Sequence, residues 1–253
     1  MNPIAVCLVV PMFNEATRLA PDEFIRGIEL NAALGIQLHL LLVNDGSKDA
    51  TADVARALVA RSPERMGLLD LPTNAGKAEA VRAGLRQASQ RFDIIGYWDA
   101  DLATPFGELA PMVEILVEHP HIRMVLGSRV RLLGRQIERN PVRHILGRVF
   151  ATAASVVLDL PVYDTQCGAK VLRRCAEVEQ ALEEPFLSRW AFDVELMARM
   201  MRATEDGPRQ DMFVEHSLMK WVDVPGSKVR PSDLPRSLYD LLGVYRRSGS
   251  RLR

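Results

Sequence analysis

The sequence predicts an α/β protein with a mostly parallel central sheet flanked by helices, and three observations carry that prediction. Continuous β-branched and apolar runs recur at residues 4–10 (IAVCLVV), 38–43 (LHLLLV), 67–71 and 94–98, the composition of strands covered on both faces. Stripes of helical period separate them, and each run ends abruptly in a polar turn. Parallel neighbours need such crossovers, so βαβαβαβ is the economical reading of the first half. With 253 residues and 48% hydrophobic content, the chain can build one large core.

The first run stops at Pro11, and PMFNEATRL turns into a helix patterned on Phe24, Ile25, Ile28 and Leu34. Asn44-Asp45-Gly46-Ser47 closes the second strand, and Ser47 or Asp49 is placed to cap a helix with Val54, Ala57 and Leu58 on one face. The third strand breaks at PTNAGK, and Val81, Gly84, Leu85 and Ala88 line the helix that follows. The fourth ends in Asp99-Ala100-Asp101. Further on, Met124–Leu126 reads as a strand, residues 141–158 as an amphipathic helix, 213–224 as a strand pair or extended edge, and the segment after Pro231 as a terminal helix around Leu238, Leu241, Leu242 and Tyr245.

Charge excludes some classes. Thirty-two basic residues balance thirty-two acidic ones, so no global field points to nucleic acid. Three unpaired-looking cysteines fit a reducing compartment. The N-terminus enters an apolar run without a basic leader, so no signal peptide is expected, and no stretch reaches the roughly 20 apolar residues of a spanning helix. A cytoplasmic protein, soluble or peripheral on the cytoplasmic membrane face, is the expectation.

Chemistry concentrates at the strand ends, where open α/β sheets bind ligands. Asp99 and Asp101 flank Ala100 and can converge on one hard divalent cation, Mg2+ or Mn2+. With Glu15, Asp45 and Lys77 on the neighbouring turns, the set suits a nucleoside diphosphate. No Walker loop or G-x-G-x-x-G competes for that role. Beyond Arg129, the arginines at 131, 135, 139, 143 and 148 have neither Asp nor Lys among them. Arg139 and Arg143 are i,i+4 neighbours able to face one phosphate. Ile145, Leu146, Val149 and Phe150, then Val156–Leu158, either pack on the sheet or face a bilayer. Asp193 opens a helix after Trp190, which suits stabilising its N-terminus. Lys228 sits in a PGSK loop able to reach a phosphate, and the tail RRSGSRLR is basic.

The ordered motifs PMFNE, VNDGSKDAT, NAGKAEAVRAG, DAD, GSR, DTQCGAK, RWAFDVEL and WVDVPGSK resemble the family 2 inverting glycosyltransferases of GT-A (Rossmann-like) fold. Within them the chain is most similar to the dolichyl-phosphate β-glucosyltransferase and polyprenyl-phosphate sugar transferase branch, from about Ile4 to about Arg230. The resemblance implies metal-dependent, inverting transfer of a hexose, glucose from UDP-glucose, to a polyprenyl or dolichyl phosphate at the membrane face. It implies that Pro11, Phe13 and Glu15 surround the nucleoside, with Asp45 near base or ribose and Lys77 beside the nucleotide. Asp99 and Asp101 would lie at the ribose, metal and diphosphate, and the arginine segment at the lipid phosphate. Asp164 and Gln166 border the transferred sugar in such enzymes, where Asp193 binds sugar hydroxyls or acts as base. Trp190 and Arg129 join the substrate-binding set, and Asp101, Asp193 and Gln166 the catalytic one. Two departures bear on the donor: Asn44 stands where the family has aspartate, and Phe13 where it has tyrosine. A single domain over 1–253 is expected, with a nucleotide-binding half at 1–110, an acceptor-binding half at 111–230 and a terminal helix and tail at 231–253. Three alternatives stay open: GDP-mannose as donor, a soluble hydroxyl acceptor, and a nucleotide-sugar-binding protein without turnover.

Overall fold

The computed structural model describes residues 3–138, 141–204, 209–224 and 234–248, with side chains left out at 141–143, 234–237 and 248. The first half is the expected alternation: β1 (Ile4–Met12), α1 (Pro21–Ala33), β2 (Ile36–Asp45), α2 (Thr51–Arg61), β3 (Met66–Leu71), α3 (Lys77–Ala88) and β4 (Ile94–Trp98). These strands are parallel neighbours in the order β3-β2-β1-β4. Their carboxyl ends therefore share one rim, and every polar turn singled out above lies on it.

The second half extends the same sheet. It runs α4 (Leu109–Glu118), β5 (Met124–Ser128), β6 (Gln136–Glu138), α5 (Pro141–Leu158), β7 (Ala169–Arg173), α6 (Ala176–Ala181), α7 (Phe192–Ala203), β8 (Phe213–Ser217), β9 (Lys220–Val222) and α8 (Leu234–Ser248). β7 inserts antiparallel between β4 and β5, giving the order β3-β2-β1-β4-β7-β5-β8. That insertion brings the residues before β7 against the end of β4. Two cores cover the two faces. Val9, Val43, Leu85, Tyr97, Phe192 and Met197 pack under α3, α7 and α8, while Leu8, Phe24, Leu42, Trp98 and Met112 pack under α1, α2 and α4.

Several expectations change. Leu34 lies past the end of α1 and is exposed, because the helix stops once its inward stripe is spent. On α2 the buried residues are Thr51, Ala55 and Leu58, and Ala57 faces water. Residues 213–224 form two strands that do not pair with each other: β8 pairs with β5 and β9 with β6, both in parallel. In the turn between β8 and β9, Leu218 N donates to Ser128 O at 3.0 Å, and the Glu108 carboxylate accepts Met219 N at 3.0 Å and Lys220 N at 2.9 Å. α5 divides as its period allows. Phe150, Ala154 and Leu158 are buried, whereas Ile145, Val149 and Val156 are exposed. Among the described residues no helix is long and apolar enough to cross a membrane.

Candidate active site

The β1 turn is built by residues of the next crossover. Asn14 takes a left-handed backbone (φ 51°), and Ser47 Oγ accepts its N–H at 3.0 Å. Thr51 Oγ1 accepts Glu15 N at 2.8 Å, and Asp49 Oδ2 accepts Ala16 N at 3.2 Å. Ser47 thus serves the β1 turn and not the start of α2, whose first N–H, at Thr51, goes to Asp49 Oδ1 at 3.0 Å. The two turns hold one another, which sets Pro11 and Phe13, both half-buried, at the rim. Glu15 is buried and accepts from Arg18 Nη1 at 2.8 Å, while Arg18 Nη2 reaches Asp101 at 3.3 Å. Arg18 therefore ties the β1 turn to the β4 turn.

Asp45 closes β2 and organises the loop before α3. Its carboxylate accepts Ala75 N and Gly76 N at 2.8 Å each and Asn74 Nδ2 at 2.9 Å. Burial pushes its carboxyl pKa up, against the two N–H groups that pull it down. Both oxygens are engaged by the loop that leads into Lys77, the first residue of α3. Gly76 has φ 96°, and Gly46 (φ 61°) lies so close to the Asn74 backbone that a Cβ would fall 2.6 Å from Asn74 N. These glycines let the loop close over the end of β2.

Lys77 Nζ lies 2.5 Å from Asp99 Oδ1. Burial opposes its charge, but Asp99, Asp193 and Asp101 outweigh that effect and hold its pKa above the ordinary lysine value. Asp99 and Asp101 share a tight turn in which Leu102 N donates to Asp99 O (3.1 Å), Ala103 N to Asp101 Oδ1 (3.1 Å), and Leu102 adopts φ 50°. Asp99 N donates to Gly168 O at 2.9 Å. A Cβ on Gly168 would overlap the Asp99 carboxyl, ending 2.6 Å from Oδ1. The glycine of DTQCG thus leaves room for the first aspartate. The Asp101 pKa is raised by burial and then by the charge of Asp99, with Ala103 N–H, Arg18 and Lys77 acting the other way.

Asp193 meets this group from the other half. It does not cap α7. Ser188 Oγ accepts Trp190 N (3.1 Å) and Ala191 N (2.7 Å), and Glu195 reaches back to Leu187 N (2.9 Å) and Ser188 N (3.3 Å). These bonds order the segment that leads into α7, and the Asp193 carboxylate is buried. Its Oδ1 pairs with Lys170 Nζ at 2.7 Å and accepts the Tyr97 hydroxyl, and Gln166 Nε2 stands 3.4 Å from Oδ2. Lys170 is fully buried, donates to Cys167 O at 2.5 Å and lies over the Tyr97 ring at 5.1 Å. Burial, then the charge of Asp193, push the Tyr97 phenol well above its ordinary pKa, so it stays a donor.

The remaining candidates divide. Arg129 and Asp164 engage each other through Nε–Oδ2 at 2.6 Å and Nη2–Oδ1 at 2.8 Å, and the guanidinium lies 5.3 Å from the Trp221 ring centre. Glu215 accepts Tyr163 N and Asp164 N at 2.7 Å each. This pair fixes the DTQCG approach to the sheet, placing Gln166 and Gly168 beside Asp193 and Asp99. Arg148 stacks 3.7 Å from the Tyr163 ring centre and donates to its carbonyl. Trp190 is half-buried at the start of α7. Arg139 and Lys228 lie outside the described residues, as does the side chain of Arg143 on α5.

The rim of this mostly parallel sheet, where open α/β sheets bind ligands, gathers a lysine, two turn carboxylates and a third carboxylate from the following half. The family model described as glycosyl transferase family 2 matches residues 7–177, and the chain belongs to that family. A dolichyl-phosphate β-glucosyltransferase of Trichomonas vaginalis is 32% identical over 98% of this chain and 73% of its own length. The human dolichyl-phosphate β-glucosyltransferase is 29% identical over 88% and 69%. Among solved structures, glucosyl-3-phosphoglycerate synthase from Mycobacterium tuberculosis in complex with Mn2+, UDP and glucosyl-3-phosphoglycerate superposes with a TM-score of 0.66 at 21% identity, covering 97% of this chain and 80% of that one. Mannosyl-3-phosphoglycerate synthase from Rubrobacter xylanophilus gives 0.66 at 19%, over 96% and 73%.

Sequence reasoning passed over Arg18, Tyr97, Lys170 and the steric part played by Gly168. Only Lys170 carried a signal, as a lone charge at the head of an otherwise apolar run (AKVL).

Proposed function

We propose that this chain transfers glucose from UDP-glucose to the phosphate of a dolichyl or other polyprenyl lipid, with inversion and with a divalent cation. The observation that carries the reading is the meeting of Lys77, Asp99 and Asp101 with Asp193 at the junction of the two halves, where a donor diphosphate and its sugar would span the gap. The choice of glucose and of a lipid phosphate follows the relatives, whose names give that activity to proteins aligned over nearly the whole chain.

Two carboxylates on one turn fit a cation. The Asp101 carboxyl is disfavoured as an anion by burial and by Asp99, against the Ala103 N–H, Arg18 and Lys77, so added positive charge there is favourable. Among the described residues no group of three or more His, Cys, Asp or Glu converges. The set matches Mg2+ or Mn2+, which complete their shell with water and substrate phosphate. When bound, the cation would neutralise charge on the departing diphosphate. Asp99 and Asp101 would hold it.

Lys77 moves its charge from Asp99 to the diphosphate. Asp45 keeps the loop that aims it. Asp193 Oδ2 and Gln166 accept and donate to sugar hydroxyls, while Lys170 and Tyr97 fix Oδ1. An oxygen of the acceptor phosphate attacks C1 of the glucose, and the C1–O bond to UDP breaks on the opposite face. A phosphate monoester is already anionic near neutral pH, since its second pKa is about 6, so no side chain need remove a proton. The cost is bringing two anions together, and cations on both sides reduce it.

Donor identity is tested by calorimetry of UDP and GDP with and without Mn2+. UDP binding that strengthens with the ion supports the reading, and preference for GDP would replace the donor by GDP-mannose.

A further inference from the structure

We propose that the turn at Leu132–Arg135, together with Met219 beside it, is the tip through which the chain enters an anionic lipid bilayer. This rests on the lipid-phosphate acceptor of the reading above and adds the surface that reaches it. Arg135 N donates to Leu132 O at 3.1 Å, and Gly134 has φ 81°, so Leu133 sits at the first central position of a tight turn. That position ordinarily takes a polar residue or proline. Leu133 is 104% exposed, as in an isolated peptide, and Leu132 is 52% exposed. Gln136 N donates to Met219 O at 2.8 Å, which brings Met219, 51% exposed, alongside the turn.

Cations adjoin this apolar turn in the sequence. Arg131 and Arg135 flank it in sequence and Lys220 follows Met219. The acid nearest Met219, Glu108, is buried and turned to the Met219 and Lys220 amides. An exposed apolar turn with basic residues next to it in sequence matches the boundary between acyl chains and anionic headgroups, where long basic stems can snorkel. A protein partner would favour a flatter patch with aromatic anchors. The tip also opens three residues after Arg129, on the half assigned to the acceptor.

The test is sedimentation with phosphatidylcholine vesicles, with and without phosphatidylglycerol, for the wild type, Leu132→Ser/Leu133→Ser and Arg131→Gln/Arg135→Gln. Unchanged melting and unchanged stabilisation by UDP certify the fold of each variant. The wild type is expected to favour the anionic vesicles. The serine pair should lower its partition by at least about tenfold on both compositions, and the glutamine pair by about tenfold on the anionic one alone. Wild type that binds neither vesicle, a serine pair that partitions like wild type, or tip-dependent self-association without vesicles would each overturn the proposal. Tip-dependent vesicle binding without any lipid-linked product would leave the tip standing and remove the acceptor reading.

Discussion

Gly168→Ala probes the contact that joins the two halves. Gly168 is not among the residues with left-handed backbone, so alanine meets no conformational penalty there. Its added carbon would instead overlap the Asp99 carboxyl and lie 2.6 Å from Oδ1. Real Cβ contacts require about 3 Å or more, and Gly168 cannot easily retreat while its carbonyl accepts Asp99 N at 2.9 Å. Oδ2 lies nearer still, so the carboxylate must turn away by roughly 1 Å, and a misplacement of that size can cost about 10²-fold in rate. Overpacking adds a stability loss of about 1–3 kcal/mol, or roughly 2–10 °C in Tm for a chain of this size. The assay is metal-dependent transfer from UDP-glucose, with Tm alongside. In Asp99→Ala/Gly168→Ala the overlap is gone, so Tm should recover while activity stays lost. Wild-type turnover in Gly168→Ala, or additive Tm losses in the double variant, would refute the reasoning.

Other outcomes follow from the same geometry. Asp101→Asn should raise the Tm of the ligand-free protein at neutral pH while abolishing metal-dependent transfer. The folded carboxyl has its pKa raised above the ordinary 3.8, so its ionisation costs stability once pH exceeds the folded value and nothing below 3.8; a Tm scan against pH should show the two proteins converging in acid. Lys170→Met leaves the buried Asp193 carboxylate without its cation and should cost about 3–5 kcal/mol, measurable by urea unfolding, with Asp193→Asn/Lys170→Met recovering part of it.

The first half was legible because its signals are local. Unbroken apolar runs identified β1, β2 and β4, and the turns after them carried the polar residues that the structure gathers on one rim. The second half depends on pairings distant in sequence. Nothing local to Ala169–Arg173 says that this strand lies antiparallel between β4 and β5, and without that placement the approach of Gly168 to Asp99 is invisible. Residues 213–224 read as a strand pair or extended edge, yet the two strands take their partners from β5 and β6, far back in the chain. Asp193 was read correctly as opening a helix, with helix-end stabilisation and sugar binding left open, and the buried pairing of its carboxylate with Lys170 was invisible in the sequence. Arg129 and Asp164 were selected as charged residues at a strand end and a motif, and they are found paired with each other.

The most direct measurement incubates purified protein with Mg2+, UDP-[14C]glucose and dolichyl phosphate, then extracts into organic solvent. The account predicts label in the organic phase, dependent on the cation and lost in Asp99→Ala, with glucose released by mild acid. Label that stays wholly in the aqueous phase while the protein still binds UDP would contradict it.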